Sequence, residues 1–155
     1  MVPILYAAEN PDGALAETVF HNVPARGSSK RIRRSVLNPL VLSTVSPARD
    51  LNLAQLSGFG LRRLGVTRRE LIEASKKQYS RTTAWARALH HCDPKIDGLV
   101  WVSRQNDEAR SVVLFGDRVP ASALRSVGTS LPLHDGPGYD LVRAAADRAG
   151  ILILD

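Results

Sequence analysis

The chain has 155 residues, of which 44% are hydrophobic and 23% charged, and its formal charge at neutral pH is +6. This composition excludes a disordered chain, and the length fits one domain with its own core. The single cysteine, Cys92, excludes an intramolecular disulfide and a multi-cysteine metal site.

Targeting signals and net charge indicate where the protein is expected to be located and what kind of partner it is expected to bind. No window approaches the roughly 18–20 consecutive apolar residues of a membrane helix. The start also lacks the basic region and long apolar run of a secretory signal, so we expect a cytoplasmic protein. The excess positive charge favours an anionic partner, which could be nucleic acid, a nucleotide or an acidic protein.

The start of the chain predicts a strand, a turn and a helix. Residues 4–8 are largely apolar and predict a short strand, and residues 10–13, Asn-Pro-Asp-Gly, predict a turn that ends it. Residues 14–20 predict a helix with Leu15 on its buried side. Because Glu17 lies about 200° around that helix from Leu15, its carboxylate is expected to face solvent or a cleft.

The rest of the chain mixes the two kinds of element. Extended segments are predicted at residues 40–45, 50–53, 98–102, 111–115 and 151–154, with a polar, basic loop or edge strand at 27–34. Helices are predicted at residues 67–77, 82–91 and 139–149. Strands and helices do not alternate strictly, so we predict an α+β fold.

Two local patterns suggest sites that their geometry argues against. The run from Gly58 to Gly60 begins like a dinucleotide-binding fingerprint, but Arg63 stands where the third glycine belongs. Residues 90–93, His-His-Cys-Asp, offer metal ligands, yet neighbouring helical residues point about 100° apart and cannot converge on one ion. No metal site is therefore predicted.

Three stretches together resemble the RES-domain family. "PILYAAENPDGALAETVFHNVP" resembles the opening motif of that family, "DGLVWVSRQNDEARSVVLFGDRV" its later serine motif, and "YSRTTAWARALH" one of its branches. The resemblance implies one RES domain over residues 1–155, with an ADP-ribosyltransferase-like mixed sheet and flanking helices. It also implies a bacterial toxin that degrades NAD and belongs to a toxin–antitoxin pair.

The motif match also implies the site residues. Glu17 lies at the glutamate of the family, Ser103 at its serine, and Tyr6 at a tyrosine that shares the site. The arginine of the family is expected upstream of Tyr6, but only five residues precede Tyr6 here and none is arginine. Arg104 and the basic cluster at residues 30–34 are candidates to take over its contact with pyrophosphate.

The implied chemistry gives each side chain a task. Breaking the nicotinamide–ribose bond builds oxocarbenium-like charge on the ribose, which a fixed Glu17 carboxylate would stabilise. Tyr6 offers a ring to stack on nicotinamide or ribose. Ser103 is expected to hydrogen-bond one of those groups, and not to act as a nucleophile, because no base at a defined spacing marks a triad.

The acceptor and the partners stay open at this point. Water would give a glycohydrolase, inorganic phosphate as co-substrate a phosphorylase, and a protein side chain an ADP-ribosyltransferase. NAD is expected as substrate, with no further cofactor. The resemblance implies a cognate antitoxin with a helix-turn-helix domain and a homodimer, without direct nucleic-acid or membrane contacts. The alternatives are a truncated, inactive RES domain that only binds nucleotide or antitoxin, and a basic nucleic-acid-binding protein.

Overall fold

The structure is a computed structural model that describes residues 2–27, 29–73 and 79–155. The strands within them are β1 (Ile4–Ala8), β2 (Arg31–Arg33), β3 (Val41–Pro47), β4 (Leu53–Gln55), β5 (Gly98–Val102), β6 (Arg110–Phe115), β7 (Leu124–Pro132) and β8 (Leu152–Leu154). The α-helices are α1 (Pro11–Glu17), α2 (Phe59–Leu64), α3 (Arg68–Leu71), α4 (Tyr79–Cys92) and α5 (Gly136–Ala149).

The described strands form three separate sheets. The largest has the order β1-β6-β5-β4, in which β4 runs parallel to β5 and the other neighbours are antiparallel. Strands β2 and β8 form a parallel pair, and β3 and β7 an antiparallel pair. This mixture of helices with parallel and antiparallel strands confirms the predicted α+β class, while the likeness to ADP-ribosyltransferases stays a prediction.

The helix that carries Glu17 begins at Pro11 and ends at Glu17, so the predicted helix over 14–20 was displaced. The side chain of Asn10 caps it by accepting a hydrogen bond from the N–H of Gly13 at 2.8 Å. Pro11 suits the first helical position because no intrahelical partner exists there for an N–H. The predicted turn was therefore wrong, since asparagine and proline serve turns and helix starts alike.

Capping residues set the starts of two later helices, α3 and α5. The capping box between Thr67 and Glu70 is confirmed, with the hydroxyl of Thr67 accepting from the N–H of Glu70 at 3.3 Å, and α3 ends at Leu71. The rest of that predicted helix includes residues 74–78, which lie outside the described residues. Helix α5 begins at Gly136, three positions before its predicted start, because Asp135 caps it.

Two apolar clusters hold the elements together. The first joins α1, β2 and α5 around Leu15 and Val142, which are both almost completely buried. The second joins the four-stranded sheet to α2, α3 and α4 around Leu71, Leu89 and Leu99. The sheet therefore has one face turned towards these three helices, and that face forms part of the site described below.

An ion pair between the exposed Arg49 and the buried Asp97 ties the segment before β4 to the turn before β5. Arg49 donates two hydrogen bonds of 2.7 Å to the carboxylate of Asp97, which is only 5% exposed. The N–H of Asn52 donates a third bond to Asp97 at 2.8 Å. The hydrogen bonds from Arg49 are the main reason that the pKa of Asp97 lies below its usual range.

Replacing Asp97 by asparagine is expected to lower the free energy of unfolding at neutral pH by about 1–3 kcal/mol, because charged hydrogen bonds are lost. A carboxyl whose pKa is depressed on folding stabilises the protein above its unfolded pKa, near 4. That contribution disappears as the pH falls through the lower folded pKa. Urea unfolding over a pH series measures the deficit, with the exposed Asp50→Asn as control. A deficit of equal size at neutral and strongly acidic pH would contradict this assignment.

Candidate active site

A cavity of about 820 Å³ lies between one face of the four-stranded sheet and helix α4. Residues opposite each other in antiparallel strands share a face, and the register places Ile4 opposite Phe115 and Tyr6 opposite Val113. From the sheet, the cavity is lined by Ile4, Tyr6, Leu99, Trp101, Val113 and Phe115. From α4 it is lined at helical spacing by Thr83, Ala86, Arg87 and His90.

Glu17 reaches this cavity from the C-terminal end of α1. Its Oε1 accepts a hydrogen bond from the hydroxyl of Ser103 at 2.6 Å and another from the N–H of Arg104 at 3.1 Å. Its Oε2 accepts no hydrogen bond from the described residues, and Nδ1 of His21 lies 3.7 Å from it. Two hydrogen bonds thus fix one carboxylate oxygen, while the other lies beside His21 without a hydrogen bond from the described residues.

Ser103 follows β5 directly and is completely buried. Besides donating to Glu17, its hydroxyl accepts hydrogen bonds from the N–H groups of Gln105 at 3.0 Å and Asn106 at 3.1 Å. A hydroxyl has one proton and two lone pairs, so all its hydrogen-bonding capacity is in use. The sequence predicted a bond from Ser103 to the ligand, whereas this hydroxyl lies behind Glu17 and positions that carboxylate.

Arg68 of α3 anchors the backbone at the same point. Its guanidinium donates to the carbonyl of Val102 at 3.2 Å and to that of Ser103 at 2.9 Å. Its Nε donates to the carboxylate of Glu73 at 3.0 Å, which fixes the orientation of the guanidinium plane. Ser103 is therefore held on both sides, at its carbonyl by Arg68 and at its hydroxyl by the turn that follows.

Close packing of α1 brings Glu17 next to Ser103. A Cβ atom on the buried Gly13 would lie 2.7 Å from Cβ of Ala109 and 3.2 Å from Cβ of Ala8, which is too close for any larger residue. The carbonyl of Ala109 in turn accepts the N–H of Ser103 at 2.8 Å. A glycine at position 13 therefore lets the helix approach the segment that presents the serine.

Tyr6 lies in the same cavity as Glu17, in agreement with its predicted neighbourhood, and is 67% exposed. Trp101 of β5 and Trp85 of α4 also line the cavity. Flat aromatic rings of this kind suit the binding of a heterocycle by stacking. The two tryptophans were missed from the sequence because each falls inside an apolar helix or strand, where a core position is the ordinary explanation.

The two basic candidates for the pyrophosphate contact lie in different parts of the fold. The side chain of Arg104 lines the cavity, while its N–H binds Glu17. The cluster at residues 30–34 does not line it, and Arg34 instead donates to the carbonyl of His134 at 3.2 Å. Of the two candidates for the pyrophosphate contact, only Arg104 is therefore near Glu17.

Two further polar residues of the cavity were not predicted. His21 follows Glu17 by four positions, so helical spacing alone could have brought it into consideration. Arg87 lies on the face of α4 that also carries Thr83 and His90, one turn before and after it. Both residues lie within the stretches that resemble the family, but neither was singled out there, and the fold shows that both reach the cavity.

Residues 2–27, 29–73 and 79–155 contain neither a metal-binding cluster nor a membrane-spanning helix. No group of three or more His, Cys, Asp or Glu side chains is placed there to hold a metal ion. His90 and His91 make separate contacts, the first with the carboxylate of Asp117 at 2.8 Å and the second with the carbonyl of Arg87 at 2.7 Å. None of the helices described in these ranges combines the length and apolarity needed to traverse a bilayer.

Comparison with known proteins gives one match. A family model described as RES domain matches residues 1–135 of the chain. The comparisons with curated proteins and with solved structures found no match. Residues 136–155 lie beyond the matched stretch, but Val142 of α5 packs in the same cluster as Leu15. Because the match covers well over half of the sequence and includes Tyr6, Glu17 and Ser103, the chain belongs to the RES domain family.

Proposed function

We propose that this chain cleaves the bond between nicotinamide and ribose in NAD. One observation carries the proposal: Glu17 lines a cavity of about 820 Å³, with one oxygen fixed by Ser103 and Arg104 and the other 3.7 Å from Nδ1 of His21, without a hydrogen bond from the described residues. A preorganised carboxylate lowers the barrier wherever positive charge appears only in the transition state. Glu17 is the one carboxylate among the described lining residues, so we assign this task to it.

The reaction balances with water or phosphate as the acceptor. When the bond from C1′ to nicotinamide breaks, its electron pair goes to the ring nitrogen, which becomes neutral, and the ribose becomes oxocarbenium-like. An oxygen of water or of inorganic phosphate then bonds to C1′, which gives ADP-ribose and a proton or a phosphorylated ADP-ribose. Tyr6 and Trp101 supply ring surfaces for the nicotinamide, and Ser103 acts only through Glu17.

Incubation of the purified chain with NAD, with and without inorganic phosphate, tests the proposal. We expect free nicotinamide, together with ADP-ribose if water is the acceptor or phosphorylated ADP-ribose if phosphate is. Chromatography with mass spectrometry identifies each product. Transfer of ADP-ribose to protein would instead indicate an ADP-ribosyltransferase, and intact NAD under all conditions would overturn the proposal.

The biological role that we propose is that of a cytoplasmic toxin held inactive by an antitoxin. Membership of the RES family supports this role. The edge strand β1 adds a structural argument, because Ile4 and Tyr6 on its cavity face are 51% and 67% exposed and, among the described strands, β1 pairs with β6 alone. A protein partner that covers the cavity mouth would bury these side chains. Induced expression should lower cellular NAD and stop growth, and growth that continues with depleted NAD would exclude the toxin role.

We also propose a second copy of this chain as a partner. Val41, Val45 and Val127 on the β3–β7 pair are 43–57% exposed. Exposed apolar side chains that share one ribbon favour burial against a partner, and a second copy of the ribbon would cover them. Light scattering that gives the mass of one chain at all concentrations would exclude a homodimer.

A further inference from the structure

We infer that Arg87 and Arg104 form a diphosphate clamp at the cavity that Glu17 also lines. The ligand class is a nucleoside diphosphate or a dinucleotide joined through a diphosphate. This inference rests on the proposed function for its orientation, with the nicotinamide ribose at Glu17. The two arginines come from different elements, α4 and the segment after β5, and both line the cavity.

The first argument is that both guanidinium groups are uncommitted. Within the described part of the chain, neither side chain makes a hydrogen bond or an ion pair. Other arginines near the site are engaged: Arg68 binds backbone carbonyls and Glu73, and Arg81 lies 3.6 Å from Glu70. Two unpaired cations facing one cavity are what an anionic ligand requires.

The second argument concerns position. The N–H of Arg104 binds Oε1 of Glu17, so its side chain starts beside the carboxylate. In NAD the diphosphate is joined to the same ribose whose bond to nicotinamide breaks. A ribose held at Glu17 therefore carries its diphosphate past Arg104, and Arg87 approaches from helix α4 on the other wall.

The third argument is electrostatic. Glu17 is the single described acid of the lining, whereas Arg87 and Arg104 give it two permanent positive charges. Apolar side chains such as Leu99 and Phe115 make up much of the remaining wall. Charge pairs are stronger where a ligand displaces water from such a wall, and a guanidinium can hold two phosphate oxygens at once.

Binding of ADP, followed by calorimetry, tests the clamp separately from turnover. ADP carries the diphosphate but has no nicotinamide ribose, and adenosine serves as the ligand without phosphate. We expect Arg87→Gln and Arg104→Gln each to weaken ADP binding about 10- to 100-fold, the effect of losing a charged hydrogen bond. Arg87→Lys should recover part of the affinity, because the charge returns without the bidentate fork. Adenosine binding should not change.

The matched control is Arg63→Gln, since Arg63 is exposed and does not line the cavity. Unchanged ADP affinity in Arg87→Gln, an equal loss of adenosine affinity, or a wild-type chain that does not bind ADP would overturn the clamp. If the chain binds ADP through Arg87 but leaves NAD intact, the proposed function is wrong and the clamp stands. If the chain cleaves NAD and its KM is unchanged by Arg87→Gln, the proposed function stands and the clamp is wrong.

Discussion

Replacing Glu17 by glutamine is expected to lower kcat for NAD cleavage by about 10²–10³, the typical effect of removing one preorganised electrostatic group. The glutamine carbonyl can still accept the bonds that Ser103 and Arg104 donate to Oε1. What changes is the oxygen at the cavity, which becomes an uncharged NH₂ group. Because the lost interaction belongs to the transition state, KM should change little. Release of nicotinamide under single-turnover conditions measures the effect.

The matched control for this variant is Glu9→Gln. Glu9 is near α1, does not line the cavity and lies 3.8 Å from Arg110 in an exposed ion pair. Its replacement removes one negative charge from the same region, so kcat should remain that of the wild type. If Glu17→Gln keeps wild-type turnover and circular dichroism shows that it is folded, Glu17 has no part in the mechanism.

Replacing Ser103 by alanine is expected to have the next largest effect. It removes one of the two bonds that fix Oε1 of Glu17, and a misplaced catalytic group costs about 10- to 100-fold in kcat. It also leaves the N–H groups of Gln105 and Asn106 without their acceptor, which should cost about 1–3 kcal/mol in the free energy of unfolding. Turnover and urea unfolding measure the two losses independently.

Ser111→Ala provides a close comparison. Ser111 is also buried, but its hydroxyl has no hydrogen-bond partner among the described residues. Removing an unsatisfied buried hydroxyl is close to neutral, so stability and kcat should both stay at wild-type values. Equal losses in the Ser103 and Ser111 variants would show that serine burial, and not the bond to Glu17, accounts for the effect.

The elements with strong local signals were predictable from the sequence. Strand β5 coincides with the prediction and β6 begins one residue earlier, because both are runs of β-branched and aromatic residues. Strand β7 escaped prediction, since nearly all of its residues are exposed and it has no apolar alternation. The start of α1 was placed at the wrong residue because a capping asparagine and a turn asparagine look the same in one sequence.

The residues of the candidate site were likewise predictable only in part. Tyr6, Glu17 and Ser103 were predicted because they belong to motifs, and the fold brings Tyr6 and Glu17 to one cavity. The buried position of Ser103 depends on hydrogen bonds to residues after it and on a helix far earlier in the chain. Arg87 depends on the packing of α4 against the sheet, and no spacing within one sequence encodes a contact between elements so far apart.

The contact between Gly13 and Ala109 has a consequence for how this protein tolerates sequence change. Neither residue lines the cavity, yet together they set how closely the helix that carries Glu17 packs. The placement of Glu17 thus depends on the lack of a methyl group at position 13, where no charge is present. Placement and stability are coupled there through volume alone, so Gly13→Ala should shift the carboxylate of Glu17 although it alters no polar or charged group.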